Sequence, residues 1–271
     1  MIKIPFTKAH GALNDFLLTW AHHAPSQDLL AAAAIAICHR NSGVGADGWL
    51  LVSPASGDNC PAIRLFNPDG GEVEMSGNGT RCAAAFLCDA GLASGDILIR
   101  TGAGPKELRA LECNRLHYSF EMNMGEARID HARFELACRD GAHDCTILYV
   151  GNPQCALFVD NFDFDWKALG AEIERHPQFP QRTNVSFVVV QDRHTLDVRF
   201  FERGAGFTMS SGTGSTGAVA AALARGLVES PITVNTLAGP LEFRTDGPLL
   251  RMVGPADIIA GGEFYFDELS R

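Results

Sequence analysis

The stretch that decides the fold is Met75-Ser76-Gly77-Asn78-Gly79-Thr80-Arg81, and a similar stretch occurs a second time. The second copy is Ser210-Ser211-Gly212-Thr213-Gly214-Ser215-Thr216, 135 residues later, and it aligns serine with serine and both glycines with glycines. Each copy runs into an alanine-rich segment with few charges, which predicts a helix that is closely surrounded by other elements. A duplication at about half the chain length predicts two domains of the same architecture.

Each copy also predicts an anion-binding turn. The first N–H groups of a helix have no partner within the helix and carry partial positive charge, so they bind carboxylates. Two such turns are expected to hold one small anion from two sides, with Ser76 and Ser211 on its opposite faces. Groups on opposite faces of a carbon can invert it, because one removes the proton and the other returns it. The alternative, a tight turn before a packed helix, suits a single copy better than two copies in register.

The bulk composition excludes several classes of protein. The chain has 271 residues, 46% of them hydrophobic, and a formal net charge of −10 without a basic block, so we expect no nucleic-acid partner. Eight scattered cysteines without a CxxC pair suggest reduced, mostly buried thiols in a cytoplasmic protein. The start has no apolar signal-peptide region and the apolar run 29–38 is too short to span a bilayer, so we expect no membrane association.

Strand-like runs alternate with turn signals through both halves of the chain. We expect an N-terminal half over 1–115, completed by about 255–271, and a C-terminal half over 116–254. The predicted strands are 49–53, 62–67, 97–101, 116–122, 146–150, 156–159, 185–190 and 197–202. The predicted helices are Asp28 to Cys38, Thr80 to Ala90, Trp166 to Glu174 and Thr216 to Leu227.

Two clusters resemble metal sites without completing one. His22 and His23 are adjacent rather than at zinc-ligand spacing, and a solvated helix or loop is expected there. Asp160, Asp163 and Asp165 lack the glycine and glutamate of a calcium loop, so a surface loop is expected. We therefore predict no metal site.

Motifs along nearly the whole chain resemble the diaminopimelate epimerase family of cofactor-independent amino-acid racemases and epimerases. The resemblance rests on motifs in the family's order as well as on the two turns. These are His10-Gly11 with Asn14-Asp15-Phe16, 43–48, Phe66-Asn67-Pro68-Asp69-Gly70, Gly151-Asn152-Pro153, Thr183-Asn184-Val185, Glu202-Arg203-Gly204-Ala205-Gly206 and Gly254-Pro255-Ala256.

The resemblance implies an α/β (α+β) fold of two pseudo-symmetric domains, each a β-barrel-like sheet around a central helix, with the active site in the cleft between them. It implies that Ser76 and Ser211 occupy the positions of the family's two catalytic cysteines, and that Glu202 supports this acid/base pair. The implied substrate-binding residues are Asn14, Asn67, Gly77, Asn78, Asn152, Gln154, Asn184, Arg203, Gly212 and Thr213. It further implies a small amino-acid substrate, no cofactor and a homodimer.

The chain departs from the family pattern where the chemistry is most sensitive. Serine replaces cysteine at both base positions, Gln154 stands in place of the usual histidine, and Phe207 in place of a polar residue. A thiol has a pKa of about 8.5, whereas a serine hydroxyl is not ionised near neutral pH without an activating base. We expect an isomerase that is most similar to diaminopimelate epimerase and impaired in this serine form. The alternatives are a racemase of another amino acid, for example a basic one, and a catalytically silent amino-acid-binding homologue.

Overall fold

The computed structural model describes residues 1–57 and 59–267 and has a mixed α/β fold. The chain divides into two compact units: unit 1 comprises residues 1–122 and 254–271, and unit 2 comprises 123–253. Unit 1 is therefore discontinuous in sequence, and its last segment comes from the C-terminal end of the chain.

Unit 1 is a closed ring of eight strands around one helix. Its elements are β1 (Ile2–Gly11), β2 (Asn14–Trp20), α1 (Leu30–Cys38), β3 (Gly48–Ser53), β4 (Ala62–Phe66), β5 (Glu72–Val73), α2 (Gly77–Asp89), β6 (Asp96–Thr101), β7 (Gly104–Asn114), β8 (His117–Glu126) and the end of β17 (Leu249–Phe266). The ring runs β1-β2-β3-β4-β6-β7-β8-β17 and returns to β1, with parallel pairs at β2–β3 and β4–β6.

Helix α2 lies within this ring, where it packs against β1, β2, β3, β4 and β6. Every residue from Gly77 to Leu87 is buried, so the alanine-rich sequence is what the position requires. Small side chains let the strands approach the helix from several sides, and burial of their apolar surface stabilises the unit. The prediction of a sheet around a central helix is confirmed.

Unit 2 repeats the order of elements. Its elements are β9 (Arg128–Cys138), β10 (Gly141–Tyr149), β11 (Pro153–Phe158), α3 (Trp166–Glu174), β12 (Asn184–Asp192), β13 (Thr195–Glu202), β14 (Gly206–Thr208), α4 (Gly212–Ala224), β15 (Ile232–Thr236), β16 (Gly239–Asp246) and the start of β17. The strands pair in the order β9-β10-β11-β12-β13-β15-β16-β17, with parallel pairs at β11–β12 and β13–β15. Helix α4 packs against β9 to β13, β15 and β16 and occupies the place that α2 has in unit 1.

Both central helices begin earlier than the sequence pattern predicts, and these two boundaries are corrections. Helix α2 starts at Gly77 rather than Thr80, and α4 starts at Gly212 rather than Thr216. Glycine disfavours helix interiors, which moved the predicted starts downstream. In the first turn this cost is offset, because Ser76 and Ser211 cap the helices and because a Cβ at Gly214 would lie only 2.7 Å from the Phe200 ring.

The two clusters that resemble metal sites lie in a short 3-10 helix and just before α3. Residues Ala21–His23 form a short, half-exposed to exposed 3-10 helix, and Asp165 is the N-cap of α3, where its side chain accepts from the Ala168 N–H at 3.0 Å. In residues 1–57 and 59–267, no group of three His, Cys, Asp or Glu side chains is placed to hold a metal ion.

All eight cysteines are free, and four of them are buried. No helix in the described part of the chain has the length and apolar character needed to cross a membrane.

Candidate active site

The first Gly-x-Gly turn is built by a serine cap at the start of α2. Ser76 has an extended backbone (φ −133°, ψ 125°), and its Oγ accepts a hydrogen bond from the Gly79 N–H at 3.1 Å. This bond satisfies one of the N–H groups that the first helical turn leaves without an intrahelical partner. The N–H groups of Gly77 and Asn78 precede it in the same first turn, where a helix gives its N–H groups no intrahelical partner.

The second turn has the same geometry in unit 2. Ser211 has φ −141° and ψ 120°, and its Oγ accepts from the Gly214 N–H at 3.0 Å. Ser211 is 4% exposed, whereas Ser76 is partly exposed. The N–H groups of Gly212 and Thr213 correspond to those of Gly77 and Asn78. Each unit therefore carries a serine hydroxyl next to two N–H groups that suit a carboxylate.

The hydrogen bonds of the two hydroxyl groups define what serine can do here. Each Oγ accepts a hydrogen bond from a backbone N–H in the first turn of its own helix. His10, which could have served as a base, instead places Nε2 3.9 Å from Asp257 Oδ2, and its Nδ1 is buried without a partner. A hydroxyl without a neighbouring base has little nucleophilic or basic character near neutral pH.

Two amide side chains meet at the first turn, and a third lies in the turn after β4. Asn78 is 2% exposed and donates from Nδ2 to Asn14 Oδ1 at 3.2 Å. Asn14 in turn donates to Asp47 Oδ2 at 2.7 Å. Asn67 lies in the turn after β4, where its backbone bonds to Gly70 and Gly71 and its side chain is partly exposed. The structure thus brings Asn14 and Asn78 into direct contact, and it holds Asn67 by its backbone.

A second chain of amides lies beside the turn in unit 2. Gln154 is 2% exposed, and its Nε2 donates to Asn152 Oδ1 at 2.7 Å. Asn152 Nδ2 lies 3.4 Å from Thr213 Oγ1. The Oε1 atom of Gln154 is buried and has no hydrogen-bond partner. A buried acceptor without a partner costs about 1–3 kcal/mol, so a bound donor at this position would be favoured.

Asn184 connects three strand ends of unit 2. Its Nδ2 donates to Pro153 O at 3.0 Å, and its Oδ1 accepts from the Arg203 N–H at 3.0 Å. This fixes the start of the segment that carries Glu202 and Arg203. Glu202 accepts from Thr208 Oγ1 at 2.9 Å, and the exposed Arg203 side chain donates to Gln181 O at 3.3 Å.

Glu174 supports this segment, and the sequence motifs do not reveal it. Its side chain is 2% exposed, is paired with Arg182 and Arg175, and accepts from the Gly204 N–H at 3.2 Å. Burial raises its pKa, but the Arg182 hydrogen bond and the Gly204 N–H outweigh burial and hold the pKa below its usual range. The ionised carboxylate therefore anchors the turn after Arg203.

Phe207, the other departure from the family pattern, lies on the surface of unit 2 rather than in a buried pocket. It is 39% exposed. Its ring meets Trp166 edge-on at 5.6 Å between centroids, and Lys167 Nζ lies 4.4 Å from the ring centroid. The aromatic and cationic contacts account for a large apolar residue at this position.

Comparison with known proteins decides the family. The family model for diaminopimelate epimerase matches residues 6–129 and 146–259. A diaminopimelate epimerase of Azoarcus sp. is 39% identical, covering 97% of this chain and 99% of the relative. Another, of Pelotomaculum thermopropionicum, is 36% identical and covers 96% and 99%. The chain belongs to the diaminopimelate epimerase family. It is accordingly an isomerase of the epimerase class that acts on a small molecule, as the sequence motifs predict.

Solved structures show the same fold at low identity. A hydroxyproline epimerase of Agrobacterium vitis superposes with a TM-score of 0.75 at 16% identity, covering 98% of this chain and 94% of that one. A phenazine biosynthesis protein of the PhzF family from Bacillus anthracis gives 0.75 at 14% identity, covering 98% and 100%. At these identities the likeness shows the fold alone.

Proposed function

We propose that this chain is an epimerase for diaminopimelate that inverts an α-carbon by two-base proton transfer without a cofactor, and that its serine form turns over slowly or not at all. The observation that carries the proposal is the pair of Ser-capped helix starts, one in each unit, in a member of this family. Inversion needs one proton-transfer group on each face of the α-carbon, and the proposal assigns Ser76 and Ser211 to these roles. Glu202 is assigned to the support of this pair.

The turn N–H groups suit the reacting carboxylate. The proposal places it on Gly77 and Asn78 and on Gly212 and Thr213, where oriented N–H groups stabilise negative charge that develops as the proton leaves. Their placement is set by the serine caps rather than by a mobile side chain, so little reorganisation is needed during the reaction.

Polar side chains in each unit support a substrate with a second amino-acid head. Arg203 offers a planar donor fork suited to a carboxylate, and the amides of Asn67, Asn152 and Asn184 add directed donors and acceptors. Asn14 is assigned to the lining of the substrate site. A monocarboxylic amino acid would leave the Arg203 fork without a carboxylate to bind. This favours diaminopimelate, and hence a place in lysine biosynthesis.

The serine hydroxyls support the proposed impairment. Each accepts a backbone hydrogen bond that holds it at the helix start, and a serine hydroxyl without an activating base is not ionised near neutral pH. We expect slow or no exchange of the substrate's α-proton in deuterated water. The double variant Ser76→Cys with Ser211→Cys should raise the exchange rate by about 10²–10⁴-fold, since a thiol ionises near neutral pH. The two single variants are matched controls, because each restores only one base.

Binding can be tested without catalysis. Calorimetry on the serine form should show tighter binding of diaminopimelate than of lysine, histidine or proline. Tighter binding of a monocarboxylic amino acid would assign the chain to a racemase of another amino acid, a candidate that the buried Gln154 and the exposed Phe207 favour. Binding of diaminopimelate without exchange, even with both cysteines restored, would identify a catalytically silent homologue.

We also propose a homodimer in the cytoplasm, which the family resemblance and the eight unpaired thiols support. Light scattering coupled to size-exclusion chromatography should give twice the chain mass. Fractionation of cells should place the protein with cytoplasmic enzymes, and a monomer or a secreted protein would contradict these two assignments.

A further inference from the structure

Arg81 is a fully buried cation in the helix that carries the first turn. Its exposure is 0%, its Nη2 donates to Asn78 Oδ1 at 2.6 Å, and its Nε donates to Pro255 O at 3.1 Å. Burial lowers its pKa to about 10, which leaves the guanidinium charged at neutral pH. Burying a charged group costs free energy, so we expect Arg81 to have a function at the turn.

The guanidinium fixes the orientation of two amides that are assigned to the substrate site. Since Asn78 Oδ1 accepts from Arg81, its Nδ2 is directed at Asn14 Oδ1, 3.2 Å away. Asn14 Nδ2 then donates to Asp47 Oδ2 at 2.7 Å, and Asp47 is paired with Arg40 at 2.6 Å. Each donor in this series faces an acceptor, so neither amide can flip without losing hydrogen bonds.

The backbone leaves space for this cation at two glycines. A Cβ at Gly254 would lie 2.8 Å from Arg81 Cζ, and one at Gly11 would lie 3.2 Å from Arg81 Nη2 and from Asn78 Cβ.

The second turn has no corresponding charge. The position 135 residues after Arg81 is Thr216, whose Oγ1 donates to Gly212 O at 2.7 Å. Asn78 correspondingly aligns with Thr213. The two turns therefore share backbone geometry but differ in electrostatics, and a buried charge acts over longer distances than an exposed one.

We propose that Arg81 is a positioning residue that holds Asn78 and Asn14 in their binding orientation and makes the first turn the stronger carboxylate-binding turn of the two. This inference rests on the proposed function for the identity of the ligand. Its electrostatic part does not, because a positive field at the turn acts on any ionisable group placed there.

A thiol introduced at position 76 measures that field without substrate. Its alkylation by iodoacetamide is followed as a function of pH by the mass of its peptide. The midpoint of this pH dependence should shift to higher pH when Arg81→Met is added to Ser76→Cys. The expected shift lowers the reactive thiolate population at pH 7 by roughly threefold or more. The matched pair is Ser211→Cys with and without Thr216→Val, which should show no shift.

Calorimetry tests whether Arg81 positions Asn78 and Asn14 for binding. Arg81→Met should weaken diaminopimelate binding by about tenfold or more, and its effect should be non-additive with Asn78→Ala, because both changes break one series of contacts. Gly254→Ala keeps every charge but displaces the guanidinium, so it should weaken binding as well. Gly261→Ala lies on the same strand, where a Cβ meets only Phe6 O at 3.5 Å, and should bind like the parent chain.

Each outcome of these measurements either supports or contradicts the proposed role of Arg81. If Arg81→Met does not fold, as a melting curve would show, Gly254→Ala supplies the affinity measurement, and Arg81→Gln, which removes the charge but keeps an amide donor, supplies the alkylation measurement. Folded variants with unchanged alkylation midpoints, or with unchanged affinity, would overturn the role of Arg81. If the parent chain does not bind diaminopimelate, the proposed substrate fails, and the thiol measurement still decides whether the first turn is charged by Arg81.

Discussion

At the scale of single residues, the serines show how far sequence reasoning reaches. The capping bonds from Ser76 and Ser211 to the N–H groups three residues ahead follow from the residue type and spacing. The contacts of Arg81 with Pro255 O and of Glu174 with the Gly204 N–H do not follow, because those partners are distant in sequence. Side chains whose roles depend on such long-range contacts carry no local signal.

Gln154 offers a prediction at this scale. Its Nε2 orders Asn152, and its buried Oε1 lacks a partner. Gln154→Met should weaken diaminopimelate binding by about 1–2 kcal/mol, because Asn152 loses its donor and the ligand loses an acceptor. Gln154→His retains a ring N–H for Asn152 and should lose less. Calorimetry of the three proteins checks this order, and equal affinities would remove Gln154 from the binding site.

At the scale of elements, the repeat predicts both central helices and their buried character but places their starts too late. The propensity of glycine argues against Gly77 and Gly212 as helical positions, and the capping bonds and close packing override it. The hairpin of β1 and β2 is not among the predicted strands. These two strands are defined by pairing with each other and with β17 and β3, which are distant in sequence.

The caps should be measurable in stability. Ser76→Ala and Ser211→Ala are each expected to lower the free energy of unfolding by about 1 kcal/mol, since the Gly79 and Gly214 N–H groups lose their acceptor. Ser53→Ala, at the end of strand β3, is the control and should change little. Urea unfolding followed by circular dichroism gives the three values. If Ser53→Ala lowered the free energy of unfolding as much as the two cap variants do, capping would be ruled out as the cause.

Glu174, at the end of α3, is expected to make the free energy of unfolding depend on pH. The pKa of Glu174 is lower in the folded protein than in the unfolded chain, so its ionised form stabilises the fold above the unfolded pKa, and this contribution is lost as pH falls through the folded pKa. Glu174→Gln should therefore cost about 2 kcal/mol at pH 7. The difference from the parent chain should shrink below about pH 4. Unfolding curves at pH 7, 5 and 3 test this, and a pH-independent difference would contradict it.

At the scale of the whole molecule, each unit is one layer of sheet around one helix, and the same order of elements is used twice. The sequence duplication predicts that plan, because two copies of one motif with matching flanks imply two copies of the surrounding structure. The strand pairings that close unit 1 are not visible in the duplication. They join β1 to β17 across nearly the full length of the chain, and the local pattern of either strand does not name its partner.

The discontinuity of unit 1 leads to the last prediction. Strand β17 pairs with β1 from Ile2↔Phe266 to His10↔Asp257 and also pairs with β8, so a fragment of residues 1–122 leaves two strand edges without partners. Such edges are unstable and prone to aggregate. We expect this fragment to be unfolded or aggregated alone and to gain a cooperative unfolding transition when a synthetic peptide of residues 254–267 is added. A scrambled peptide is the control. Circular dichroism and amide exchange at β1 report the change, because pairing with β17 protects the N–H groups of that strand. A stable fold of 1–122 without the peptide would show that the ring does not depend on its last strand.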